Sequence, residues 1–173
     1  MSPSKFISVA ALAVACSAQA SAASTSTLPS AEQYFHHVAM AERCPSSKAA
    51  TAPKLEQLKL QVLGYYQAQT ANLDATGAAP LLAAIQEVEA GRVPAQVRKR
   101  TTGTWATLKP DAAKFICANM AALIDSQIAM GALALAQESR DPAAGAAAER
   151  RGIETIKSNT ESLRNALGAQ QGH

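Results

Sequence analysis

Aromatic side chains are scarce in this chain: three Phe, three Tyr and one Trp make up 4% of its 173 residues. Charge is sparse too, at 17% of residues, with a formal balance of +3. That balance falls to +2 if Lys5 leaves with the N-terminal segment read below, since the segment carries no acid. So small an excess does not mark a nucleic-acid binder, and no nucleic acid is expected as a partner. No segment of strand periodicity appears, which turns the reading away from a sheet. Gly-x-Ser-x-Gly, a Walker loop, a dinucleotide fingerprint and His-Glu-x-x-His are all missing. So are Cys-x-x-Cys and the Glu-x-x-His pairs of a di-iron bundle. No catalytic residue is nominated, no cofactor is expected, and the chain is read as a non-enzyme. Past the N-terminal segment no stretch approaches ~18 unbroken apolar residues, so no transmembrane helix is expected in the mature chain.

What the chain does have begins with an address. Lys5 closes a short basic start, Phe6 to Ala15 is an apolar run too short to span a bilayer, and Ala18-Gln19-Ala20 is a small-x-small cleavage pattern. Residues 1–20 therefore read as a secretory signal peptide, with the mature chain starting at Ser21. Leu12 to Cys16 offers an alternative, an imperfect lipobox that would make the protein an outer-membrane lipoprotein anchored through Cys16. Alanine-rich composition points to a bacterial host, so the expected location is periplasmic or secreted. Residues 21–28 read as a disordered leader, 29–168 as a single helical domain and 169–173 as a flexible tail.

Alanine favours helix but buries little area, so the core leans on Leu, Ile and Val and is thin for its length. The expected fold is all-α: a small helical bundle of four main helices plus one or two short ones, stapled by one disulfide. After cleavage only Cys44 and Cys117 remain, and two cysteines in an oxidising compartment pair with each other. Closing a loop of that length contributes about 4 kcal/mol in the chain-entropy model.

Ser30 with Gln33 makes a capping box at the first helix, and Tyr34, Val38, Ala41 and Cys44 share one face. A second helix is expected from Pro53 to Leu73, a third from Pro80 to Ala90 with Gly91 as its stop, and a helix or turn pair over 92–110. One long helix is predicted from Pro110 to Ser139, with Asp125 solvated and Gln127 in the apolar stripe needing a partner. Asp141-Pro142 opens the last helix, whose seam is read as Glu149, Ile153, Ile156, Thr160, Leu163 and Leu167, weakened by Gly145 and Gly152 and ended by Gly168.

Two surface features could carry function. Glu32, His36 and Met40 recur every four residues and so share a helix face, where imidazole, thioether and carboxylate could hold copper or zinc. Arg98, Lys99 and Arg100 lie in a stretch without acids between Glu89 and Asp111, with Trp105 inside it, a pattern suited to an anionic partner. The expected function is that of a secreted or periplasmic protein that binds a macromolecular partner: an inhibitor, immunity-type protein, chaperone or envelope accessory. That partner would be a protein or an anionic envelope component. The alternative is a periplasmic protein that binds a small ligand or a metal.

Overall fold

The computed structural model describes residues 28–138 and 142–171. The signal-peptide and lipid-anchor readings, most of the leader and the cap at Asp141 lie outside the described residues. Those residues form seven α-helices, one 3-10 turn and no strand. The helices are α1 (Ala31–Ala41), α2 (Lys48–Thr70), α3 (Ala75–Ala90), α4 (Ala95–Ala106), α5 (Pro110–Ala118), α6 (Met120–Glu138) and α7 (Pro142–Gln171), with the 3-10 turn at Pro45–Ser47. The all-α class and the Cys44–Cys117 disulfide follow the sequence expectation.

Local rules set several boundaries. Ser30 caps α1, its Oγ accepting the N–H of Gln33 at 3.3 Å, and Tyr66 of α2 accepts the next free N–H, that of Ala31, at 2.9 Å. Asp74, read from sequence as part of a turn, is the N-cap of α3 and accepts the N–H of Gly77 at 2.8 Å. The Asp74–Gly77 segment is thus the start of that helix. Gly91 ends it at φ +66°, a backbone region that a Cβ disfavours. α2 begins before Pro53 and carries that proline inside, the missing N–H falling one turn and a half into the helix.

The single helix expected over 110–139 is two. Asn119 leaves helical geometry (φ −110°, ψ 12°), and its Nδ2 donates to the Phe115 carbonyl at 2.9 Å. A short polar side chain that satisfies a helix-end carbonyl competes with continuation of the helix. The break lets Met120 and Ile124 of α6 enter the core while Cys117 of α5 meets Cys44. That core is completed by Tyr34, Phe35, Leu58, Val62, Val88 and Val97. Asp125 is not a solvated outlier. It pairs with Lys54 of α2 at 2.8 Å, its side chain only 27% exposed.

The last helix faces inward differently from its expected seam. Gly145 and Gly152 are buried, Gly152 against α6, whereas Glu149, Ile153 and Thr160 are exposed. A Cβ on Gly152 would stand 3.0 Å from the Ala129 carbonyl oxygen. Gly152 is therefore what lets the two backbones approach at this point, and Asn159 secures the contact by donating to the Ala122 carbonyl at 3.1 Å and to Ser126 Oγ at 3.2 Å. α7 continues past Gly168, where the sequence suggested an end, to Gln171. Among the described helices α6 alone is long and apolar enough to cross a membrane, by length and composition, so the lack of an unbroken apolar run does not settle that point. In the fold α6 packs on α2 and α7.

Gly152→Val should lower stability by about 1–3 kcal/mol by forcing α6 and α7 apart, seen as an earlier midpoint in urea. Replacing Cys44 and Cys117 together by Ala should cost about 4 kcal/mol through the released chain entropy. Calorimetry of the doubly substituted protein against the oxidised parent checks that figure.

Candidate functional site

Several of the groups that sequence analysis singled out, Glu32, His36, Arg98 and Arg100, lie where α1 and α4 meet. Val97 and Thr101 of α4 are buried against the body of the protein, which brings the neighbouring basic residues over α1. Arg100 Nη2 lies 2.7 Å from Glu32 Oε1, near the start of α1. Arg98 reaches the other end and grips Glu42 with both guanidinium nitrogens, the Nη2–Oε1 bond measuring 3.1 Å. Arg43 Nη2 donates to Thr102 Oγ1 at 2.6 Å. Thr101 Oγ1 stands 3.3 Å from His36 Nδ1.

These contacts change the meaning of the basic stretch. Arg98 and Arg100 dock α4 on α1 and do not form a free cationic patch with Lys99, which is exposed without an acid against it. Both pairs are exposed, at 43–65% of their side chains, so each is worth about 0–1 kcal/mol and can exchange partners readily. Trp105 is not beside them. It lines a different hollow at the disulfide, with Arg43 and Lys114.

The proposed metal ligands share a helix face as the spacing requires, but their chemistry is spent elsewhere. Glu32 holds Arg100, and Met40 packs against the core. The Arg100 cation also stands close enough to His36 to work against its protonation, so a metal would enter a spot already held by positive charge. Among the described residues no group of three or more His, Cys, Asp and Glu could hold a metal ion.

What the junction does offer is a cleft of about 470 Å³, lined by Ser30, Glu32, Gln33, His36, Val97, Arg100 and Thr104. A neighbouring groove of about 310 Å³ shares Glu32, Val97 and Arg100, so the ion pair stands between the two hollows. The cleft presents a carboxylate, a guanidinium, an amide, an imidazole and hydroxyls around one apolar wall. Ser30 Oγ is engaged as the acceptor that caps α1. The exposed large hydrophobics among the described residues are Leu60, Leu73, Leu82 and Ile153, and none lies on α4.

His37 is a residue whose role the sequence reading missed. It bonds through its side chain to Gln127 of α6, which supplies the partner that Gln127 needed inside an apolar stripe. Loss of water holds the His37 pKa down at about 4, helped by its neighbour His36. His36 is lowered too, by desolvation first and then by Arg100, with Glu32 acting the other way. No protein family, curated protein or solved structure matches this chain.

A histidine whose pKa is depressed by folding binds fewer protons in the native than in the unfolded state. Stability should therefore be full above the ordinary value of 6.5, fall as pH drops from there to about 4, and level off below. The expected loss is on the order of 2 kcal/mol, less than the full shift would give because the ring keeps some contact with water. Urea unfolding between pH 7.5 and pH 4 measures this slope, and His37→Gln should remove most of it.

Proposed function

We propose that this is a secreted or periplasmic, disulfide-stapled helical protein that acts by binding a protein partner through the α1–α4 face. The observation that carries this reading is the exposed, exchangeable Glu32–Arg100 pair in the wall of a hollow with Val97, together with the equally exchangeable Glu42–Arg98 pair further along the same helix junction. Polar rims around a partly apolar centre are the usual anatomy of a non-obligate interface. A partner that brings its own acid and base can replace each pair without leaving a charge alone, at little desolvation cost. The N-terminal pattern of residues 1–20 and the disulfide support a location outside the cytoplasm. The bundle of four main helices belongs to this reading as its architectural form, with α1, α2, α6 and α7 as the members and α3, α4 and α5 as shorter braces.

A small polar ligand is the second reading. The cleft volume of about 470 Å³ lies within the range of small-molecule sites, and six polar side chains converge on it.

A photo-crosslinking residue at Lys99, introduced in the native host, separates the two. The protein-partner reading expects one discrete adduct on a chain that begins at Ser21. That adduct should vanish with Arg98→Glu and Arg100→Glu and should not form when the crosslinker is moved to Lys157 on α7. Equal adducts from both positions, or none, would overturn it. A low-mass species retained in native mass spectrometry would then favour the small ligand, and lipid on Cys16 would replace the free form by the tethered one.

A further inference from the structure

The hollow beside the disulfide has a different chemistry from the α1–α4 cleft and shares no lining residue with it. Its volume is about 380 Å³, and its walls include Arg43, Pro45, Trp105, Lys114 and Cys117. Two cations and an indole face one space, and no carboxylate is among the lining residues. Arg43 is held in place by its 2.6 Å bond to Thr102, so its guanidinium is oriented before any ligand arrives. The Cys44–Cys117 bridge joins the two walls, the end of α1 and α5, with Cα atoms 5.0 Å apart. Asp111 stands 3.8 Å from Lys114 on the same helix. Both side chains are at least 80% exposed, so water weakens that pairing.

Each part selects a different property of a ligand. An aromatic face attracts a flat apolar group by stacking. A fixed guanidinium and a nearby ammonium attract an anion, and the guanidinium favours a planar carboxylate that accepts two bonds at once. The volume admits a molecule of one ring and a short acid arm. We infer that this hollow binds a small aromatic carboxylate, its ring against Trp105 and its acid group between Arg43 and Lys114. A neutral aromatic would leave the Arg43 guanidinium without an anion and Lys114 with only its solvated Asp111 partner, and a simple aliphatic acid would leave the indole uncovered. This inference does not rest on the α1–α4 reading, since the two sites use separate residues.

Trp105 is the only tryptophan in the chain, so its indole N–H gives one signal in a nitrogen–proton correlation spectrum of the intact, oxidised protein. Titration with benzoate should move that signal saturably. Acetate and benzyl alcohol should each act at least about tenfold more weakly, since each lacks one of the two recognised groups. Lys114→Gln should weaken benzoate about tenfold. Lys114 is an exposed side chain, so the variant should keep its fold, which the rest of the spectrum reports directly. Arg43→Gln is the second variant and should weaken benzoate at least as much. The inference is overturned if benzoate leaves the indole signal in place, moves it no more than benzyl alcohol does, or binds Lys114→Gln as well as the parent.

Discussion

The Cys44–Cys117 bridge is the constraint around which the first two-thirds of the fold is arranged. Cys44 is fully buried, and the covalent link spans 73 positions, enclosing α2, α3 and α4 within one loop. The chain needs such a link because its core contains few large side chains: Phe35, Leu58, Met120 and Ile124 are the bulkiest that are fully enclosed. The link lowers the entropy of the unfolded chain, so weaker contacts suffice to seat the enclosed elements. α4 illustrates the point. It is held by Val97, Thr101 and surface ion pairs to α1 that would do little for an unconstrained helix.

α6 and α7 solve the same shortage in another way. They begin beyond Cys117 and gain nothing from loop closure. Here the backbones themselves come together over Gly152, and Asn159 ties the contact with two hydrogen bonds. Close approach increases dispersion contact per residue, which partly replaces the area that larger side chains would bury. The two halves meet through Met120 and Ile124, through the Lys54–Asp125 pair, and through Gln61, whose Nε2 donates to the Ile128 carbonyl at 2.9 Å. His37 adds a third polar link by bonding to Gln127. Polar side chains thus carry much of the contact between α6 and the rest.

The features legible in the sequence are those set by a residue and its near neighbours. Ser30 had to cap a helix, Gly91 had to end one, Pro110 had to begin one, and Cys44 and Cys117 were the pair expected to bridge. The rest depended on what lies across the interface. Asn119 ends α5 only because its own side chain reaches a carbonyl four residues back, which helical periodicity does not register. Gly152 reads as a weak point until α6 is placed against it, because its value lies in the space it leaves. Arg98 and Arg100 looked like a free cationic cluster, since the acids that answer them, Glu42 and Glu32, lie more than fifty positions away. Sequence spacing did place Glu32, His36 and Met40 on one face correctly. It could not show that an arginine from another helix already occupies it.

That last point bears on what the two hollows can recognise. At the α1–α4 cleft an incoming anion competes with Glu32 for Arg100, and an incoming cation competes with Arg100 for Glu32. Binding there favours a partner that supplies both signs at the right separation, which is a demand that an extended protein surface meets more easily than a single charged group. At the disulfide, Arg43 spends one donor on a neutral threonine, and Lys114 pairs only with the highly exposed Asp111 at 3.8 Å. An anion there meets no carboxylate on Arg43 and competes at Lys114 only with the weak, solvated Asp111 pair, so a single negative group is enough. The same scarcity of charge that makes the chain unremarkable in composition therefore gives each remaining charge a definite setting, and the setting decides which kind of ligand each hollow can hold.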